Sequence, residues 1–310
     1  MRNHLIDRLA ILAEADKDIF LLTGDLGYGV IEDFEMKFPG QFLNSGVAEQ
    51  AMMGIAAGLA NSGYKPWVYS IANFPTFRCL EQIRNDVCYH NFDVTIVAIG
   101  SGFSYGTLGY SHFGIEDISV MRALPGMKVY SPANTLELDY VIESCLKYRG
   151  PKYIRLDKGA SYAFERISNS STLTWSYMNS EKAKISIFTT GTILSEAIKA
   201  AKMLKAQGIL VEVNSLPFVS PEALKPEMLQ NRFVITVEEH SSQGGLFSCV
   251  AEFVATNMLN TRIQGLGINP AKLKVTGSQD YLRKIHGIDA DAIYELVCLK
   301  GNESRADNEL

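Results

Sequence analysis

The chain has 310 residues, of which 47% are hydrophobic and 20% are charged. This length predicts two domains, and this balance is ordinary for a soluble globular protein. The net charge of −5 argues against a nucleic-acid-binding surface, because an acidic protein has no excess of cations to displace phosphate counterions. No apolar run reaches the roughly 20 residues of a membrane-spanning helix, so we expect no membrane segment. Five cysteines form no C-x-x-C pair, which indicates reduced packing residues in a cytoplasmic protein.

The first half of the chain alternates short apolar runs with segments of helical periodicity. The predicted strands are residues 20–23, 42–44, 67–69, 95–99, 128–130 and 153–156. Between them, Leu138, Val141, Ile142 and Cys145 recur at helical spacing. This alternation is typical of a parallel sheet with crossover helices, and it predicts an α/β domain over residues 1–165.

The rhythm breaks and then resumes in the second half. Clusters of Ser, Asn and Thr predict an interdomain linker at residues 166–183. Strand-like runs follow at residues 185–188, 209–213 and 233–237, with helices over residues 194–207, from residue 245, and over residues 290–299. Asp289 is placed to cap the last helix. We therefore predict two doubly wound α/β domains, the second over residues 184–300, followed by a polar, flexible tail at residues 301–310.

Residues 42–60 (FLNSGVAEQAMMGIAAGLA) carry the most informative motif. They predict a short strand, a tight turn and a helix in which Gly54, Ala57 and Gly58 allow another backbone to approach closely. Glu49 lies in the first turn of this helix, where a carboxylate also stabilises the helix dipole. Taken alone, Glu49 is compatible with a structural role or with general acid–base chemistry.

The GVAEQ segment (residues 46–50) and its Ala/Gly helix resemble the pyrimidine-domain motif of transketolases and deoxyxylulose phosphate synthases. The resemblance implies that Glu49 is catalytic. It would hydrogen-bond the aminopyrimidine of thiamin diphosphate and assist removal of the thiazolium proton. The TGDL segment (residues 23–26) is similar to a family segment that touches the cofactor, which makes Asp25 a candidate contact.

Residues 70–77 (SIANFPTF) resemble the family segment whose aromatic side chains pack on the aminopyrimidine. Phe74 and Phe77 could stack on a flat heteroaromatic ring. Their composition alone equally suits core aromatics at a strand-to-helix junction. Arg78, which follows them, is a candidate substrate-binding residue.

The glycine-rich loop at residues 100–112 follows a buried strand, where ligands of open α/β sheets bind. It does not fit a dinucleotide-binding dehydrogenase, because no G-x-G-x-x-G opens a helix. Residues 111–117 (SHFGIED) resemble the T-H-Q-x-x-E segment of transketolases. The resemblance implies that His112 is catalytic and contacts both the cofactor and the bound two-carbon fragment, whereas a lone histidine is more often structural.

The second domain carries VEEHSSQGG at residues 237–245, which resembles the V-E-E-x-x-x-x-G-G motif of the transketolase C-terminal domain. In the family this domain is mainly structural. Neighbouring side chains of a strand point to opposite faces, so Glu238, Glu239 and His240 are not interpreted as a metal site.

The chain lacks the G-D-G and downstream Asn with which the family holds the diphosphate through Mg²⁺. The resemblance covers only the last two of three family domains. It therefore implies a separate N-terminal subunit that holds the diphosphate and Mg²⁺ in a two-plus-two heterotetramer, and no metal ligand in this chain.

Several positions depart from the usual substrate-binding pattern of the family. They are Gly29, Ile71, Gly100, Leu108 and Lys158. Lys158 stands where an Arg usually grips the sugar phosphate, and a lysine can act there only as a point charge. This pattern favours an unusual or nucleotide-linked sugar over ordinary pentose phosphates.

These features together predict the C-terminal subunit of a split transketolase, which transfers a two-carbon ketol unit from a ketose to an aldehyde or aldose. A deoxyxylulose-phosphate-synthase-like subunit and the β subunit of a 2-oxo acid dehydrogenase are alternatives. The segments at residues 111–112 and 237–239 favour the first of these over the second. A non-catalytic scaffold partner is the alternative from another class.

Overall fold

The structure is a computed structural model that describes residues 1–159, 173–180 and 182–306, and only the backbone of residues 301–306. In the described part of the chain, every helix is too short or too polar to cross a membrane. The predicted linker residues 166–172 and 181 lie outside the described residues, as do tail residues 307–310.

The first domain is built on six parallel strands. Their bounds are β1 Ile19–Thr23, β2 Phe42–Asn44, β3 Lys65–Ile71, β4 Thr95–Ile99, β5 Lys128–Tyr130 and β6 Lys152–Leu156. They lie in the order β2-β1-β3-β4-β6-β5. Strands β4 and β6 are buried throughout, and strands covered on both faces have continuous apolar runs, which made them recognisable in the sequence.

Helices cover this sheet. They are α1 Arg2–Ala15, α2 Glu32–Lys37, α3 Glu49–Asn61, α4 Leu80–Gln82 with its π-helical continuation Ile83–Cys88, α5 Asp117–Arg122 and α6 Thr135–Lys147. Helix α6 buries the four predicted residues, and the Asn134 side chain caps it by accepting a hydrogen bond from the Glu137 backbone N–H at 3.0 Å.

The second domain has a mixed sheet in the order β11-β10-β8-β9-β7. Its strands are β7 Trp175–Met178, β8 Ile185–Thr190, β9 Val211–Ser215, β10 Phe233–Glu238 and β11 Arg262–Leu266. Its helices are α7 Leu194–Ala206, α8 Pro226–Leu229, α9 Leu246–Thr256, α10 Gln279–His286 and α11 Ala290–Ala306. The observed architecture confirms the predicted α/β class.

Two predicted segments differ from the structure. Strand β7 lies inside the predicted linker and pairs antiparallel with β9. Its alternating buried residues, Trp175 and Tyr177, are an edge-strand pattern that the surrounding Ser and Thr residues obscure. Helix α11 continues to Ala306 through the predicted tail, because an isolated glycine such as Gly301 does not by itself end a helix.

Buried polar contacts join the two domains. Arg155, near the end of β6, donates to Asp117 Oδ2 at 2.9 Å and to the Glu239 carbonyl oxygen at 2.9 Å.

Within the second domain, Glu238 accepts from the backbone N–H groups of Leu246 and Phe247, at 2.7 and 2.9 Å, and so caps helix α9. The VEE motif therefore has the structural role that the sequence predicts.

Candidate active site

The predicted site residues follow the carboxyl ends of parallel strands. Asp25 follows β1, Glu49 follows β2, Phe74 follows β3, His112 lies in the loop after β4, and Lys158 follows β6. Parallel strands deliver their carboxyl ends to one edge of the sheet, which is where open α/β sheets bind ligands.

Glu49 is the first residue of α3, and only 5% of its surface is exposed. Its Oε1 accepts a hydrogen bond from Arg78 Nη1 at 3.1 Å. A Cβ placed on Gly24 would lie 3.7 Å from Glu49 Cγ, so the TGDL segment packs beside this carboxylate. The structure thus gives Glu49 a sheltered position with one cationic neighbour.

An aromatic surface adjoins this ion pair. The guanidinium carbon of Arg78 lies 4.0 Å from the centroid of the Phe74 ring, and that ring meets His112 edge-on with centroids 5.4 Å apart. Glu49, Arg78, Phe74 and His112 therefore form one continuous row of contacts.

Two cavities, with volumes of about 580 Å³ and about 430 Å³, flank this row. The larger is lined by Asn73, Phe74, Phe77, Arg78, Tyr110, Ser111, His112 and Glu116. The smaller is lined by Val47, Ala48, Glu49, Gln50, Ala51 and Arg78. Arg78 borders both cavities and separates the carboxylate from the aromatic face.

His112 ends a short 3₁₀ turn, Tyr110–His112, and its Nδ1 lies 3.0 Å from Ser111 Oγ. Burial, reinforced by the nearby Arg78 charge, lowers the pKa of His112 below its ordinary value. The neutral imidazole is therefore favoured, and it can exchange hydrogen bonds with a carbonyl or hydroxyl oxygen.

The loop that carries His112 is anchored by the second domain. Glu239 Oε1 accepts from the Phe103 backbone N–H at 2.6 Å and from Gln279 Nε2 at 2.9 Å, while Glu239 Oε2 pairs with Arg283. Gly102 has a φ of +55°, and a Cβ there would lie 2.3 Å from Glu239 Oε1. This approach is open only to glycine.

The structure separates the candidates into two groups. It brings Glu49, Phe74, Phe77, Arg78 and His112 together around the two cavities.

Asp25 lines neither cavity. Its Oδ1 accepts from the Tyr28 hydroxyl at 2.9 Å, within a turn where Asp25 has a φ of +58°. Lys158 also lies outside both linings, and its Nζ is 4.8 Å from the Tyr105 ring centroid.

Sequence reasoning missed Arg2 and Tyr105. Burial raises the pKa of Tyr69 to about 12, and the nearby Arg2 charge opposes this rise. The Arg2 charge also acts on Tyr105, whose ring centroid lies 6.2 Å from that of His112. Lys158 therefore lies against the Tyr105 ring, while Arg2 acts on that ring through its charge. No local motif marks Arg2, because only the folding of α1 against the sheet brings it here.

Comparisons with known proteins agree with this architecture. Residues 1–162 match the transketolase pyrimidine binding domain, and residues 176–293 match the transketolase C-terminal domain. A subunit of the apulose-4-phosphate transketolase of Actinobacillus succinogenes is 32% identical over 96% of this chain and 97% of that relative. The 6-deoxy-6-sulfo-D-fructose transketolase subunit SqwH of a Clostridium species is 32% identical over 94% of this chain and 92% of its own length.

A solved split-gene transketolase, an inactive β4 tetramer, is 30% identical to this chain, with a TM-score of 0.82 and 96% of both chains covered. Both domain matches and these full-length similarities lead to one conclusion. The chain belongs to the transketolase family, as the subunit of a split, thiamin-dependent transketolase that carries the pyrimidine-binding and C-terminal domains.

Proposed function

We propose that this chain binds the pyrimidine half of thiamin diphosphate and, with a partner subunit, transfers a two-carbon ketol unit from a ketose to an aldehyde or aldose. The observation that carries the proposal is the nearly buried carboxylate of Glu49, which Arg78 links to the aromatic face of Phe74. Relatives named as transketolase subunits support this reaction over the synthase-like alternative.

The residues present fit an aminopyrimidine. Such a ring needs a carboxyl group opposite a ring nitrogen and an apolar surface against its face. Glu49 offers the first, and Phe74 and Phe77 offer the second beside cavities of sufficient volume. When bound, thiamin diphosphate supplies the nucleophilic carbon and the electron sink that ketol transfer requires.

The side chains of this chain then have separate tasks. Glu49 holds a proton against the pyrimidine nitrogen and so supports acid–base chemistry at the ring. His112, with Nδ1 engaged by Ser111, presents Nε2 to an oxygen of the ketose. Phe74 and Phe77 orient the ring and exclude water from its face.

We assign an anionic ketose to this site. Lys158 lies against Tyr105, whose ring adjoins that of His112, and the charge of Arg2 also acts on Tyr105. The relatives described above are named for a sugar phosphate and a sulfo-sugar, both of which carry an anionic group. A lysine is compatible with either group, because it acts as a point charge without the fixed fork of arginine.

The partner is assigned as an N-terminal subunit that holds the diphosphate and Mg²⁺, in a cytoplasmic two-plus-two assembly. The exposed side of α3 supports docking of another chain. A Cβ on Gly54 or Gly58 would meet nothing within 4 Å. Ile55, in the same helix, is 39% exposed, and Val47, just before the helix, is 74% exposed. The predicted close approach to these glycines is thus left free for a neighbouring subunit.

Calorimetric titration of thiamin diphosphate and Mg²⁺ into this chain, alone and mixed with the N-terminal subunit, tests the proposal. We expect binding only in the mixture, weaker binding after Glu49→Gln, and ketol transfer from phosphorylated or sulfonated ketoses. Tight binding by this chain alone would contradict the assignment of the diphosphate to the partner. A mixture that binds no cofactor would favour the scaffold alternative.

A further inference from the structure

Arg78 occupies the place between the two parts of the site that must act together. Its Nη1 lies 3.1 Å from Glu49 Oε1, and its Cζ lies 4.0 Å from the Phe74 ring centroid. Arg78 also lines both cavities. The Arg78 side chain is 50% exposed, whereas that of Glu49 is 6% exposed.

These contacts compete with the pyrimidine ring. A ring that contacts both the Glu49 carboxylate and the Phe74 face must lie between them, and the Arg78 guanidinium occupies that space. The face of Phe74 likewise cannot be covered by the Arg78 guanidinium and by a stacked heteroaromatic at once. Arg78 in this position therefore closes the site to the ring.

We propose that Arg78 is a gate over the pyrimidine site, which covers Glu49 and Phe74 in the cofactor-free subunit and must rotate into solvent before the cofactor binds. This inference rests on the proposed function. It revises the role of Arg78 from a substrate contact to an occluding residue that controls cofactor entry.

The contacts that hold Arg78 over the site are weak enough to break. An ion pair and a cation–π contact made by a half-exposed arginine each change an equilibrium by roughly two- to fivefold. Arg78 is half exposed, so its flexible side chain can exchange these contacts for water. Together the two contacts should weaken cofactor binding by roughly four- to twenty-fivefold relative to a chain that lacks them.

The position of Arg78 beside Glu49 also stabilises the free subunit. A buried carboxylate without a counter-charge is costly, and among the described residues Arg78 is the cation paired with Glu49. Removal of Arg78 should therefore have opposite effects on two measurements. It should lower the melting temperature of the free chain and strengthen cofactor binding by the assembled complex.

The test compares Arg78→Met, Arg78→Lys and the control Arg149→Met, which removes an exposed arginine near the amino end of β6, at the opposite edge of the sheet. Thiamin diphosphate with Mg²⁺ is titrated calorimetrically into each variant assembled with the N-terminal subunit, and association is followed by stopped-flow fluorescence. We expect Arg78→Met to lower Kd by roughly four- to twenty-fivefold and to speed association. Arg78→Lys should lie between Arg78→Met and the native complex, and the control should not differ from it.

The outcomes separate this inference from the proposed function. Binding by the native complex with an unchanged or raised Kd in Arg78→Met would overturn the gate and leave the proposed function intact. Binding by Arg78→Met but not by the native complex would support the gate in its strongest form. If no complex binds the cofactor, the gate fails together with the proposed function.

Discussion

Replacement of Gly102 by alanine should uncouple the His112 loop from the second domain. The new Cβ would lie 2.3 Å from Glu239 Oε1 and 2.6 Å from Glu239 Cγ. Glu239 cannot easily yield, because its carboxylate holds the Phe103 backbone, Gln279 and Arg283.

The magnitude follows from these contacts. A non-glycine residue in the left-handed region costs about 1–2 kcal/mol. Displacement of Glu239 would leave the buried Arg283 without its nearest carboxylate, and breaking a buried pair costs about 3–5 kcal/mol. Glu196, 3.9 Å from Arg283 Nη1, compensates in part. We therefore expect a loss of about 4 kcal/mol in the free energy of unfolding.

Urea denaturation of Gly102→Ala against Gly208→Ala measures this loss. Gly208 also has a positive φ, +75°, but a Cβ there would meet nothing within 4 Å. The control should lose only the backbone contribution of about 1–2 kcal/mol. Equal losses in the two variants would refute the proposed role of Glu239 as the anchor of the loop.

Three further predictions concern charge. His240 is buried, and burial lowers its pKa to about 4. Its neutral form therefore contributes to the free energy of unfolding above about pH 6.5. This contribution is lost as the pH falls through 4. In urea denaturation, the free energy of unfolding of His240→Gln should change less with pH across that window. An unchanged slope against pH would contradict this prediction. Because the pKa of His112 is also lowered, kcat/KM of the assembled enzyme should persist below about pH 6.5, and His112→Asn should remove that titration while lowering kcat. Lys158→Ala should raise KM for an anionic ketose by about two- to fivefold but not for its neutral analogue, with Lys158→Arg as the control; an equal rise for both sugars would exclude a charge contact.

The sequence predicts most of the fold because buried parallel strands are continuous apolar runs. Prediction of helices and strands from the sequence fails where a segment is short or half polar. Helix α10 escaped prediction although Ser278 caps it and Gly287, with a φ of +70°, ends it. This omission hid a functional connection, since α10 supplies Gln279 and Arg283 to Glu239.

The site was predictable where a strand end fixes the position of a residue. Glu49, Phe74 and His112 follow different strands of one parallel sheet, so topology alone brings them to one edge. The ion pair of Glu49 with Arg78 depends instead on how the segment between β3 and α4 folds back toward α3. A pairing between residues 29 positions apart has no periodic signature, and the same is true of the place of Arg2 beside Tyr105.

The second domain acts on this site without lining it. Every residue around the two cavities comes from the first domain. The second domain instead holds the loop behind His112, through Glu239 on Phe103 and through the hydrogen bond from the Gly277 N–H to the Gly106 carbonyl oxygen at 3.2 Å. A rigid loop matters because catalytic groups must be held within fractions of an ångström of their productive positions. Disturbance of α10 should therefore reduce kcat through His112 while leaving the proposed pyrimidine contacts of Glu49 in place.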